Sequence, residues 1–195
     1  MTKTRLLILF AAAGLILASI VGAYVYQTWR EPSQSEIVGL ITDFVGKIAS
    51  GDLPGARALL TDDSASLLRD PGTTLGRTVY AGLSLKSVDH VYTEGRGFYA
   101  ADVILTAPDA AKITAKAGIL FGERITEEGP AEDPDALIEE IYDEILSRED
   151  LPMLDQFCVI RLEVHGGKLL IRADEQLQKA VEGGVPLEIG IPAEP

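Results

Sequence analysis

The chain of 195 residues has few of the residues on which disulfide-stabilised proteins and metal proteins depend. It contains one cysteine, Cys158, so no disulfide can form within the chain, and its two histidines do not stand at a spacing typical of a zinc site. A phosphate-binding loop and a Gly-x-Ser-x-Gly nucleophile turn are also missing from the sequence. These absences exclude the enzyme classes that carry such motifs and predict no cofactor, while a catalyst that needs only a few residues is still compatible with the sequence.

Positive charge is also scarce, because 17 lysines and arginines stand against 30 acidic residues. Residues 1–30 hold three of those cations, Lys3, Arg5 and Arg30, and no acid, so the formal net charge of −13 becomes −16 for the remainder of the chain. A surface this acidic cannot displace counterions from phosphates, which excludes a nucleic-acid partner. Anionic lipid headgroups also repel it, so the folded part is expected to stand off the membrane surface.

One long apolar run is present, from Leu6 to Tyr26, and it contains no charged residue. About 20 apolar residues suffice for a helix to cross a bilayer, and Lys3 and Arg5 before the run predict a cytoplasmic N-terminus. The run exceeds the apolar core of roughly 7–15 residues in a cleaved signal peptide, so we favour an uncleaved anchor, with cleavage as the alternative. Either alternative predicts an extracytoplasmic domain. The predicted segments are a cytoplasmic tail (1–5), a transmembrane signal-anchor helix (6–29), a linker (30–35), a folded domain (36–184) and a C-terminal tail (185–195).

Two helices are predicted at the start of the folded domain. Apolar residues between Ile37 and Ile48 recur every three or four positions, which predicts a helix with Ser35 as its N-cap and Gly51 as its left-handed C-terminal residue. Asp52, followed by a proline, is typical of the first turn of a second helix.

Alternating apolar residues then predict strands joined by short turns. Short turns require antiparallel pairing, so the predicted fold class is α+β, with a curved antiparallel sheet packed against helices. The predicted elements are a strand from Leu83 that turns near Gly95–Gly97 into a second strand, a weaker third strand at Lys112–Phe121, a helix over Asp135–Arg148, a strand containing Cys158 and Ile160, a tight turn at Gly166–Gly167, a short strand and a closing helix from Asp174.

Two stretches resemble the nuclear transport factor 2-like superfamily, in particular its small membrane-anchored or secreted bacterial members. They are ASGDLPGARALL (Ala49–Leu60) and VIRLEVHGGKLLIRADEQLQKAV (Val159–Val181). The resemblance implies a cone-shaped α+β fold over about Glu36 to Gly184. It also implies two functional options, because the superfamily includes ketosteroid isomerase-like enzymes, whereas many extracytoplasmic members bind or scaffold without known catalysis. The predicted acidic helix departs from the simplest version of the fold.

An enzyme of this fold would need an acid or a histidine that faces its pocket. Periodicity predicts that Asp43 is exposed on its helix and that Asp102 lies on the strand face opposite Tyr99. Asp89 and His90 are adjacent on a strand and therefore point to opposite faces, so they cannot form a dyad. The polar candidates are Asp43, Tyr80, His90, Tyr92, Tyr99 and Asp102.

Three other polar features have simple structural interpretations. Cys158 alternates with apolar residues, which predicts a buried, inert thiol, and His165 precedes two glycines as a turn residue. The acidic segment Glu127–Asp150 offers oxygen ligands for calcium or a docking face for a basic partner, but its spacing fits no EF-hand loop. We therefore interpret the segment as a solvated helix face and assign no catalytic, cofactor-binding or metal residue.

These features predict a membrane-anchored, extracytoplasmic, non-catalytic binding or accessory module. The alternative is a small-molecule-binding or isomerase-like enzyme that uses the cone pocket. Expected partners are the membrane, through the N-terminal helix, a protein of the cell envelope, and a second copy that pairs through the open sheet face. A buried carboxylate among aromatic side chains would favour the enzyme, whereas an interior filled by leucine, isoleucine and valine would favour the module.

Overall fold

The computed structural model describes residues 31–148 and 150–184. The predicted anchor (6–29) and C-terminal tail (185–195) lie outside the described residues. Within the described ranges, no helix is long and apolar enough to cross a membrane. The described part has the predicted α+β class, with four antiparallel strands and several helices.

The sheet runs in the order of the chain and contains β1 (Ser84–Gly95), β2 (Phe98–Pro108), β3 (Met153–His165) and β4 (Lys168–Arg172). The β1–β2 register shifts at three places, and such bulges increase the bend and twist of a strand. Gly166 and Gly167 both have positive φ, 59° and 80°, so the tight turn between β3 and β4 has the geometry that the two glycines predict.

Six α-helices accompany the sheet within the described residues. The first begins two residues before the predicted position, because Ser33 and Glu36 form a capping box, in which the Glu36 amide donates to Ser33 Oγ and the Ser33 amide donates to Glu36 Oε2. The predicted cap at Ser35 is therefore wrong. The helices are α1 (Gln34–Ala49), α2 (Leu53–Arg57), α3 (Thr74–Ala81), α4 (Ala110–Glu128), α5 (Pro134–Leu146) and α6 (Glu175–Val181).

The predicted third strand, Lys112–Phe121, is wrong, because these residues lie within α4. Asp109 caps this helix by accepting from the Lys112 amide at 3.0 Å. Ile113 and Ala117 are buried and Phe121 is half-buried, a spacing of four that belongs to a helix rather than a strand. The apolar residues at every second position predicted a strand in which Ile119 would be buried. In the helix Ile119 is 63% exposed.

Helix α3 was not predicted at all. Thr73 caps it by accepting from the Gly76 amide, and it buries Leu75, Val79 and Tyr80. Helix α5 packs against both α3 and α4, so the acidic helix is attached to the domain through other helices.

The inner face of the sheet, directed toward the helices, forms the core. On β2 it buries Tyr99, Ala101, Val103 and Leu105, the four residues that alternation predicts. Helix α1 packs over β1 and β4, while α6 packs over β2 and β3. Segment 59–61 completes the edge of β4, where the Thr61 amide donates to the Ile171 carbonyl at 2.9 Å. The interior is thereby filled by side chains from both ends of the described chain.

Helix α6 is followed closely by Gly183, whose φ of +69° is left-handed. A Cβ at this position would lie 2.5 Å from the Pro108 carbonyl oxygen and 3.1 Å from Val79 Cγ1. The backbone after this helix therefore approaches the end of β2 so closely that only glycine fits there without a shift.

We expect Gly183→Ala to lower the free energy of unfolding by about 2–5 kcal/mol, because left-handed strain costs about 1–2 and overpacking about 1–3 kcal/mol. Gly46→Ala is the matched control, since Gly46 lies in α1 and an added methyl group would meet no atom within 4 Å, and helix propensity predicts a gain of about 0.5–1 kcal/mol. Urea unfolding of the full chain in detergent measures both. Equal stability of the two variants would contradict the close approach.

Candidate functional site

The polar residues considered from the sequence do not converge on one site. Asp43 is exposed on α1 with its carboxylate 4.0 Å from Lys47 Nζ, as predicted. Tyr99 is buried on the inner face of the sheet, whereas His165 is exposed beside the β3–β4 turn. The described residues contain no group of three or more histidine, cysteine, aspartate or glutamate side chains that could hold a metal ion.

His90 and Asp102 meet across β1 and β2, a pairing that sequence reasoning missed. The two residues are register partners, and His90 Nδ1 lies 3.7 Å from Asp102 Oδ2. Asp102 lies on the face opposite Tyr99, as predicted. The imidazole is largely exposed, so the pair is a surface contact rather than a buried dyad.

The outer face of the sheet, directed away from the helices, carries most of the exposed large apolar side chains of the described residues. Phe157 is 57% exposed, whereas its neighbour Cys158 is buried on the inner face, and Phe157 pairs in register with Ile104. Tyr92 pairs with Ala100, which is fully buried although it lies on this face. The exposed apolar members of the outer face are Tyr92, Phe98, Met153 and Phe157.

Charged side chains lie among these apolar side chains, since Asp155 stands between Met153 and Phe157 on β3. Toward one end, Asp155 accepts hydrogen bonds from Lys86 and from Thr106 Oγ1, and these two bonds lower the pKa of its carboxyl. Toward the other end, Arg161 lies between two acids, 3.7 Å from Glu94 Oε1 and 2.8 Å from Asp174 Oδ2. At one end Lys86 thus pairs with one acid, whereas at the other end Arg161 is shared by two acids.

A small cavity lies away from the strands, between α1, the segment before α3, α3 and α6. Its walls are mainly apolar, with Phe44, Leu60 and Leu177 among them, but Tyr80 and Glu182 also line it. The volume open to the centre of a water molecule is about 10 Å³. A site of this size holds roughly one water molecule.

Glu182 is the unusual residue of this cavity, because it is an acid with only 2% of its surface exposed. Its Oε1 accepts from Gln178 Nε2 at 3.0 Å, whereas its Oε2 is buried and has no hydrogen-bond partner among the described residues. A buried acceptor without a donor costs about 1–3 kcal/mol, and more when it is charged. Sequence analysis overlooked Glu182; the Gln178–Glu182 spacing of four on a helix was the only signal available.

Tyr80 lines the same cavity, and its hydroxyl donates to the Arg69 carbonyl at 3.1 Å. Burial raises the pKa of Tyr80 to about 12, and the negative charge of Glu182 acts in the same direction. The phenol is therefore neutral at physiological pH, and its hydroxyl donates a hydrogen bond to the Arg69 carbonyl rather than to Glu182.

The acidic segment forms an exposed face of α5 and the adjoining loop, as predicted. Arg124 binds Glu140 at 2.7 Å and Glu144 at 3.2 Å, and Arg148 also binds Glu144. Asp133 accepts from the Asp135 and Ala136 amides as the cap of α5. Several of these acids thus have structural partners, which favours the interpretation as a solvated helix face.

No family model matches this chain, and neither the curated proteins nor the solved structures include a match. Membership of the nuclear transport factor 2-like superfamily therefore stays a prediction. The outer face of the sheet and the cavity at Glu182 are two features of the described residues that bear on function.

Cys158 is fully buried on the inner face, and burial raises its thiol pKa to about 12. We expect no reaction with a thiol-specific reagent such as dithionitrobenzoate in the folded chain up to pH 9, and one thiol per chain to react at once in denaturant. Absorbance at 412 nm measures the released chromophore. A rapid reaction of the folded chain would show that this thiol is reachable and ionised.

Proposed function

We propose that the chain is a membrane-anchored, extracytoplasmic binding module of the nuclear transport factor 2-like type, which docks a protein on the outer face of its sheet. The observation that carries the proposal is the row of exposed apolar side chains on that face. An anchor would hold the module beside the membrane and raise its effective concentration for partners in the envelope.

The apolar composition of the outer face supports docking. Aromatic residues and methionine are enriched in protein interfaces, and three of the four exposed apolar residues on this face are aromatic. β2 spans eleven residues, which corresponds to roughly 35 Å of strand, long enough for a protein interface. Exposed large apolar side chains that share one face of a sheet favour a surface that another protein covers.

The charges on the outer face also support docking. The chain beyond residue 30 carries a formal charge of −16, so most of its surface would repel an acidic protein, including a second copy. On the outer face, however, Lys86 and Arg161 lie beside Asp155, Glu94 and Asp174 and reduce the local negative charge. A partner therefore meets less repulsion at these positions than beside unpaired acids.

The alternative function, a small-molecule-binding or isomerase-like enzyme, has one observation in its favour. Glu182 is a buried carboxylate that shares a cavity with the aromatic rings of Phe44 and Tyr80. Pockets for metabolites measure roughly 300–1,000 Å³, however, whereas this cavity offers about 10 Å³. Its size and the filled inner face of the sheet favour the binding module.

We expect a photo-crosslinking amino acid at position 157 of the full chain to give one discrete adduct in cells, because Phe157 lies in the docking surface. The same amino acid at position 119 is the matched control, since Ile119 is equally exposed but lies on α4. Denaturing gel electrophoresis and mass spectrometry measure the adduct. A mass of two chains identifies a second copy as the occupant, and any other discrete mass identifies an envelope protein.

A second change tests whether the adduct depends on the surface itself. Met153→Glu adds a charge to the outer face four residues from position 157 and should abolish the adduct, whereas Lys116→Glu, exposed on α4, should leave it unchanged. The docking proposal fails if positions 157 and 119 give the same products, or if Met153→Glu has no effect.

The anchor has its own test, with single cysteines at positions 2 and 127 in a Cys158→Ala background. A membrane-impermeant maleimide added to intact spheroplasts should label position 127 and leave position 2 unlabelled until lysis, because the apolar run would separate them. The intact mass of the purified chain distinguishes an uncleaved anchor from a cleaved signal peptide. Labelling of position 2 in intact cells, with position 127 protected, would reverse the proposed orientation.

A further inference from the structure

We propose that the cavity at Glu182 is a binding site for the ammonium group of a small aliphatic amine. The site is separate from the outer face of the sheet and goes beyond the proposed docking function. It rests on a carboxylate oxygen, Glu182 Oε2, that is buried, lines an apolar cavity and has no hydrogen-bond partner among the described residues.

Glu182 Oε2 lacks a hydrogen-bond donor. An ionised carboxylate only accepts hydrogen bonds, so the group that satisfies Oε2 must be a donor. Gln178 already uses its amide nitrogen on Oε1, and the Tyr80 hydroxyl donates to the Arg69 carbonyl. These two donor bonds therefore do not reach Oε2, and a water molecule or a ligand that enters the cavity can supply the donor.

A cation is the partner that best satisfies the Glu182 carboxylate. A buried carboxylate with a single hydrogen bond is stabilised most by a cation, because charge-assisted bonds are roughly twice as strong as neutral ones. Residues 185–195, which follow Glu182 closely in the chain, contain no lysine or arginine. None of these eleven residues can therefore supply a cationic side chain to the site.

The cavity limits the size of a ligand and its route of entry. The cavity has room for about one water molecule, and an ammonium group has nearly the same size. Leu67, Ala173 and Gln178 line the cavity and are half-buried, so its rim reaches the surface. An aliphatic chain attached to the ammonium group would leave between these side chains, and an apolar rim suits such a chain. Bulky, branched cations would not enter.

The test uses the full chain in detergent with labelled methyl groups and n-butylamine, which is protonated at pH 7, as the probe. We expect saturable shifts of the Leu177 and Val181 methyl signals, since both residues line the cavity. 1-Butanol has the same chain without the charge, and tetramethylammonium has the charge without an N–H donor. Both should bind at least tenfold more weakly than butylammonium.

Variants assign the effect to the carboxylate. Glu182→Gln keeps the shape of the side chain and removes its charge, so it should weaken butylammonium binding at least tenfold. Glu175→Gln, exposed on the same helix, is the matched control and should leave it unchanged. Equal binding of butylammonium and butanol, an absence of saturable shifts, or unchanged binding by Glu182→Gln would each overturn the proposal. Because the comparison of the three probes uses the unaltered chain, it remains decisive even if Glu182→Gln does not fold.

Discussion

The position of β2 between β1 and β3 is the constraint on which the rest of the structure depends. Every residue of β2 from Phe98 to Pro108 has a partner on β3, and most also have one on β1. Because β2 pairs along both edges, it lies in the interior of the sheet. Its two faces have different roles. The inner face receives the helices, while the outer face keeps large apolar side chains in solvent. The end of β2 at Pro108 also fixes where α4 begins and where Gly183 must lie.

Electrostatics divides the described surface into regions of different character. On α5, acids outnumber their arginine partners, and the excess faces solvent, where the charge costs little. On the outer face of the sheet, Arg161 and Lys86 are placed where they balance neighbouring acids. Glu182 differs from both regions, because it combines an acidic side chain with nearly complete burial. Glu182 is therefore a better candidate for binding a specific ligand than the acids of α5.

Local signals predicted local features of the fold well. Glycines that require positive φ, at Gly51, Gly166 and Gly167, and the cap at Asp52 all occupy their predicted roles, because a turn or cap depends on only a few adjacent residues. The alternation that buries Tyr99 and Cys158 was confirmed for the same reason. The strand predicted for residues 112–121 was wrong because their apolar side chains fit both a period of two and a period of about four. Tertiary packing, including contacts with α5, favours the helix.

The candidate sites were less accessible to sequence reasoning, since they depend on which segments meet. The pairing of His90 with Asp102 follows from the β1–β2 register, which three bulges alter. The burial of Glu182 depends on residues from α1, α3 and the intervening segment closing over the end of α6. A glutamate before two glycines is, by its sequence alone, an ordinary exposed helix terminus. The nature of its surroundings emerges only from the tertiary structure.

The contact between segment 59–61 and β4 has a consequence for the order of events during synthesis. Thr61 bonds to Ile171, and Ser64 donates to the Ala173 carbonyl 109 residues further along the chain. The early helices therefore cannot complete their packing until the last described strand and helix have left the ribosome. Until that moment the nascent chain exposes the apolar face of α1, a state that chaperones recognise.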